Sequence, residues 1–308
     1  MLKRLASIVF KNTNSISDDD HVERYLKHQE ILQQLKDDNK YNHHIILDKK
    51  LCEHRNADED NGIFRLKKDE YEHGTYILNK IKEKIPQGKI NLPYARLNNA
   101  DLTGVDLIKA ILTEADLGNA TLTSANLTRA YMSGANLNGA DLVEARLVKA
   151  DLAGTDLSEA DLTQAILTRA DLFGANMEGA DLTGATLTKA NLVKTLLFKA
   201  TLTYANLKKA HLERAHLDGA NLEGANLEGA NLEGAFLTKT DLRGADLRGA
   251  NLRGTRNLTS QQIISAYIDE TTMLGSGFNN LKAEILKAQR SNPVNKESFS
   301  QPDTPVIS

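Results

Sequence analysis

His43, His44, Cys52 and His54 lie close together in the chain, and imidazole with thiolate is a donor set that suits zinc. Their spacing matches no standard zinc site, so they read as surface residues and no bound metal is expected. Asp151, Asp156, Asp161 and Asp171 resemble a carboxylate array for acid–base work until their interval is noticed, since they are spaced by multiples of five and each immediately precedes a leucine-type centre. His211 and His216 take that same place in their own units, one polar residue substituting for another. No phosphate-cradling loop, nucleophile elbow or Cys–His pairing stands out. The sequence therefore predicts neither an enzyme nor a cofactor.

What must position these residues is one repeat from Leu97 to Leu252, with leucine at every fifth residue except Met132 and Met177. Methionine is unbranched and apolar and fills the same space. The residue two places before each centre is alanine except at Val105, Thr155, Thr195 and Thr240. Each unit reads Ala, usually Asp or Asn, Leu, then two variable residues, the second often Gly. A helix would step these leucines round its axis by about 140° and bury no single face. A short fixed period instead predicts a solenoid whose units bury their apolar sides by stacking.

The units resemble the pentapeptide-repeat family, whose A(D/N)LXX motif they match one after another. That resemblance implies an all-β solenoid, a right-handed quadrilateral parallel β-helix with four pentapeptides per coil. It also implies that the central Leu and preceding Ala point inward and the rest outward. About eight coils at roughly 4.8 Å each would make a rod near 38 Å long.

A four-sided coil stacks residues twenty apart, and the sequence shows that period independently. Lys109, Arg129, Lys149, Arg169, Lys189 and Lys209 hold the last position of every fourth unit, while elsewhere that position is basic only at Lys194, Lys199, Arg214 and Lys239. Thr103, Thr123, Val143, Thr163, Thr183 and Thr203 form a second column of β-branched residues suited to an extended surface. Glu223, Glu228 and Glu233 precede Arg243, Arg248 and Arg253 by one such interval, which predicts a ring of Glu beneath a ring of Arg. The basic column is the candidate partner-binding site, because the repeat does not demand Lys or Arg there. Its bland alternative is solubility and the blocking of sideways pairing. Phe173, Val193, Leu196, Phe198 and Phe236 fall at outward positions on two adjacent sides and form a candidate apolar contact patch.

Around the repeat the chain divides into residues 1–89, an α-rich N-terminal module or cap; 90–255, the β-helix; 256–290, a helical C-terminal cap; and 291–308, a Ser- and Pro-containing tail expected to be disordered. Helices are predicted near Asp18–Asp37 and Asp69–Ile85, a short strand at His43–Leu47, and a capped helix at Gln261–Tyr267 with Thr259 and Gln262 as its capping box. A last helix is expected over Asn280–Arg290. The single Cys52 excludes a disulfide framework within the chain. LASIVF near the start is too short for a secretory core, and no apolar run approaches the roughly 20 residues of a membrane span, so a cytoplasmic site is expected.

Residues 91–255 hold 20 acidic and 16 basic side chains, and the net charge of the whole chain is −3. Neither value favours nucleic acid as a partner. The reading is a non-catalytic interaction scaffold that takes a protein partner on its sides. Resemblance to bacterial pentapeptide-repeat proteins, some of them secreted effectors, extends this to delivery into a host cell. The alternative is imitation of duplex DNA against a topoisomerase such as gyrase, as in the quinolone-resistance branch of the family. Leucine rather than phenylalanine centres and the basic column depart from that branch.

Overall fold

The computed structural model describes residues 97–291, together with Pro93 and Ala95 just before them. The module expected over residues 1–89, the donor set of His43, His44, Cys52 and His54, and the tail after Ser291 lie outside the described residues.

Each unit makes one side of a coil. The residue before the centre forms a parallel bridge with its counterpart twenty residues on, as in Asp101 with Thr121 and Thr121 with Asp141, continuing to Phe236 with Arg256. Four units therefore complete one turn of the solenoid. The sides are numbered here from Leu97, so that Leu97, Leu102, Leu107 and Leu112 centre the first to fourth. A side contributes a single bridged residue rather than a longer strand, because two of its five residues are spent on the corner.

At each corner the N–H of the alanine returns to the carbonyl of the preceding centre, as from Ala100 to Leu97 at 3.1 Å. The last residue of the unit has positive φ throughout, +57° at Lys109 and +62° at Gly104 for example. That is the condition a type II turn places on its third residue, and glycine meets it without a Cβ clash. The frequent glycine thus answers a backbone condition, and the position is less free than the sequence implies.

The other N–H groups also find partners. Within one unit Asp161, Leu162 and Gln164 donate along the rod to Ala140, Asp181 and Thr183, at 3.0, 2.6 and 2.9 Å. The one left over, on Thr163, donates to Oδ1 of Asp161 at 2.9 Å. Wherever Asp or Asn precedes the centre, this two-residue bond recurs, from Asp101 to Asn251. A buried or half-buried donor without an acceptor costs about 1–3 kcal/mol, so the acidic row is backbone chemistry.

The Leu centres and the Ala residues two places before them fill the rod, nearly all of them completely buried. Burial of a leucine side chain contributes about 1.5–3 kcal/mol relative to exposure. Thr155, Thr195 and Thr240 occupy alanine places and are buried as well. Each hydroxyl donates to a main-chain carbonyl of the coil below, Met132, Leu172 and Leu217 respectively. That bond lets a polar group sit in the core.

The far end is closed by α1 (Ser260–Ile264) and α2 (Asn279–Ser291). The expected capping box of Thr259 and Gln262 forms. The helix ends earlier than the expected Tyr267, because Tyr267 returns to the ladder and bridges Asp246, as Met273 bridges Asn251. Open carbonyls at the end of the stack outweigh further helix: Gln262 Nε2 also donates to the carbonyls of Leu237 and Thr240, both at 2.8 Å. Ile263, Ala266 and Ile268 bury against the last leucines. No helix among the described residues is long and apolar enough to cross a membrane.

Candidate interaction surfaces

The basic column lies on the corner that ends the third side. Successive N–H groups of Lys109, Arg129, Lys149, Arg169 and Lys189 donate to Thr128, Val148, Thr168, Thr188 and Lys208 of the next coil, so the six residues rise one coil at a time. All six are exposed. Every one has positive φ, between +57° and +59°. A side chain with a Cβ in that region costs about 1–2 kcal/mol, and glycine serves the same place at Gly229 and Gly249.

The rest of the third side departs from the motif in the same sense. Arg146, Ile166 and Thr186 stand where Asp or Asn would cap the following N–H. Val148, Thr168 and Thr188 lose that acceptor. Between Asp106 and Glu228 the side therefore presents Lys109, Arg129, Arg146, Lys149, Arg169, Lys189, Lys208 and Lys209 and no carboxylate. Lys208 Nζ pairs with Glu228 at 2.7 Å, at the upper margin. The second side is its opposite. From Asp101 to Glu223 it carries Asp141, Glu144, Asp161 and Asp181 and no base.

The expected apolar patch is placed on the fourth and first sides and divides in two. Phe173 is 43% exposed with Lys194 Nζ 5.5 Å above its ring, and Val193 stacks on the next coil. On the first side Leu196, His216, Phe236 and Arg256 bridge in succession. The His216 ring lies 4.2 Å from Phe236 and nearly parallel to it, 5.1 Å from Phe198, and Arg256 covers the far face of Phe236. Half of the patch is consequently occupied by its own neighbours. Sequence reasoning takes His216 for a surface polar residue, although its place twenty residues from both Leu196 and Phe236 signals the stack.

The expected Glu and Arg rings form at one position. Arg243 reaches Glu223 at 2.8 Å and Asp241 at 2.7 Å. The hydrogen bond from Arg243 holds the Asp241 carboxyl below its ordinary value, against the opposing effect of burial. Arg248 turns to Asp246 in its own unit, and Glu233 accepts from Asn251 instead of Arg253. An Arg just after the centre projects on the same side as the residue just before it, so the nearer carboxylate wins.

His211 Nδ1 lies 3.5 Å from Glu213 and His216 Nδ1 3.7 Å from Asp218, side chains of the same unit in each case. No group of His, Cys, Asp and Glu among the described residues is arranged to hold a metal ion.

Residues 90–123, 125–164, 165–203, 195–234 and 220–256 match the family of pentapeptide repeats, in 8 copies. The chain belongs to the pentapeptide-repeat family. Among solved structures it is similar to HetL, a pentapeptide repeat protein involved in heterocyst differentiation regulation from the cyanobacterium Nostoc sp. strain PCC 7120. That likeness has 37% identity over 54% of this chain and 82% of HetL, with a TM-score of 0.28. QnrB1, a plasmid-mediated fluoroquinolone resistance protein, is similar at 19% identity over 62% of this chain and 96% of its own, with a TM-score of 0.34. A pentapeptide repeat protein of the Arabidopsis thaliana thylakoid lumen is 27% identical over 43% and 68%, with a TM-score of 0.22. None of the curated proteins matches the chain.

Proposed function

We propose that this pentapeptide-repeat protein is a non-catalytic interaction scaffold, a right-handed quadrilateral β-helix that holds a protein partner against its sides. The observation that carries this reading is the cation-only third side. Lys and Arg are kept there at left-handed positions, and three backbone caps are given up beside them. Like charges one coil apart repel by close to 1 kcal/mol even in water, so stability does not favour the arrangement. An acidic partner surface does. Aromatic residues for base stacking are sparse on this side, which disfavours nucleic acid.

Pull-down from the native source with the wild-type chain and with Lys149, Arg169 and Lys189 replaced by Gln tests the reading. The variant should lose its partner while its melting temperature stays nearly unchanged, and equal capture by both would return the column to a solubility role. A cytoplasmic site of synthesis and delivery into a host cell belong to the same reading, and fractionation of cells and culture medium would check them.

A second reading, DNA mimicry against a topoisomerase, draws on the acid-only second side. A supercoiling assay with the purified chain tests it, and unaffected gyrase would remove it.

A further inference from the structure

Charge segregation on two adjacent sides has a geometric consequence. Four equivalent corners share one full revolution, so neighbouring sides meet at about a right angle. Square rods that touch through two adjacent sides pack two by two, and such a contact is heterologous, joining unlike surfaces while still closing a ring. We propose that the third side of one copy docks on the second side of the next, closing four parallel rods about a fourfold axis. This rests on the reading of the third side as a binding surface and names its partner as a second copy of the chain.

The residues match across that contact at four of the six levels of the column, and Arg129 and Lys209 meet Thr121 and Thr201 instead. Facing sides of neighbouring rods run in opposite transverse directions, so the last position of a third-side unit meets the first outward position of a second-side unit in the same coil. Lys149 then faces Asp141, Arg169 faces Asp161, Lys189 faces Asp181 and Lys109 faces Asp101. The reverse pairing at the inner edge sets Arg146 against Glu144. Between these edges the middle columns meet like with like, Thr128 with Thr123, Val148 with Val143, Thr168 with Thr163 and Thr188 with Thr183. All share one coil repeat, so the alignment in one coil fixes the alignment in the others.

The acidic side can do this without unfolding itself. Oδ1 of Asp141, Asp161 and Asp181 caps the backbone, Oδ2 of Asp141 also accepts the Thr123 hydroxyl at 2.8 Å, and each carboxylate oxygen has a further lone pair for a cation. Six coils at roughly 4.8 Å and five residues at roughly 3.3 Å give a side of at most about 475 Å². One contact would bury about 950 Å² at most, less than a stable standard interface. Closing the ring gives every copy two contacts, so one and four copies are favoured over two.

Light scattering and sedimentation of the full chain test the ring. At low ionic strength the particle should have four times the 33.9 kDa chain mass, falling to one chain in roughly 0.5 M salt as screening shortens to a few ångströms. Arg146→Glu alone and Glu144→Arg alone should each give single chains, and the two together in one chain should restore four. Both side chains are exposed, and circular dichroism melting would verify that each variant is folded. A single chain at low salt, a two-copy particle, or a double variant that stays apart would overturn the proposal. A single chain that still loses a captured partner when the basic column is neutralised would overturn the ring and leave the scaffold reading intact.

Discussion

Oδ1 of Asp161 accepts the backbone N–H of Thr163 at 2.9 Å, and the corresponding N–H of Thr188 on the third side has no such acceptor because Thr186 replaces the Asp. Thr186→Asn would supply the missing cap and leave the charge of the side unaltered. Stability should rise by about 0.5–1.5 kcal/mol in urea unfolding. No gain would mean that the N–H of Thr188 is already satisfied by solvent at no cost.

Ala170 is 1% exposed and its neighbour Arg169 points outward. Ala170→Phe should overpack the coil and cost about 1–3 kcal/mol or more, whereas Arg169→Phe should cost little. Thermal unfolding of the pair reads the difference. Equal losses would place the register of inward and outward residues in error.

Lys149 has φ of +58°. Replacing it by glycine removes a left-handed penalty of about 1–2 kcal/mol and adds about 0.5–1 kcal/mol of unfolded-state entropy. Lys149→Gly should therefore unfold at slightly higher denaturant than the wild type, although it deletes a side chain of the proposed contact. A clear loss of stability would show that the lysine stem packs against the corner.

Asp269 pins the closing segment. Its Oδ1 accepts from the N–H groups of Gly249, Thr271 and Thr272 and from the Thr271 hydroxyl. Burial pushes its pKa up, but these hydrogen bonds outweigh burial and leave it below the ordinary carboxylate value. A depressed folded pKa contributes stability above the unfolded value of about 3.9 and loses it as pH falls through the folded one. Hydrogen exchange of residues near Ala266–Leu274 should accelerate relative to mid-rod amides as pH drops below about 4. Asp269→Ala should show the same loosening at neutral pH, and protection unchanged in both cases would detach Asp269 from the cap.

Much of the rod is legible in the sequence because its pattern is set by burial: a leucine every five residues states what points inward, and Lys149 with Arg169 states the period of twenty. The capping box at Thr259 is legible for the same reason, being local chemistry at fixed spacing. Corner geometry is harder, since glycine at Gly104 and lysine at Lys109 look like free choice until both are found at positive φ. The partner of Arg248 escapes the sequence because Asp246 and Glu228 are both within its reach, and spacing does not decide between rotamers. The charge contrast between the second and third sides needs residues sorted by side rather than by order along the chain.

The bonds that join coil to coil run along the rod, while the covalent chain winds around it. Pulled by its two ends, the solenoid would meet the load at its terminal coil first and come undone coil by coil. Each loss would free twenty residues, lengthening the chain by about 65 Å after the lost rise is subtracted. Its mechanical behaviour is that of a spool paying out thread in equal lengths, with the cap held by Asp269 acting as the catch on one end.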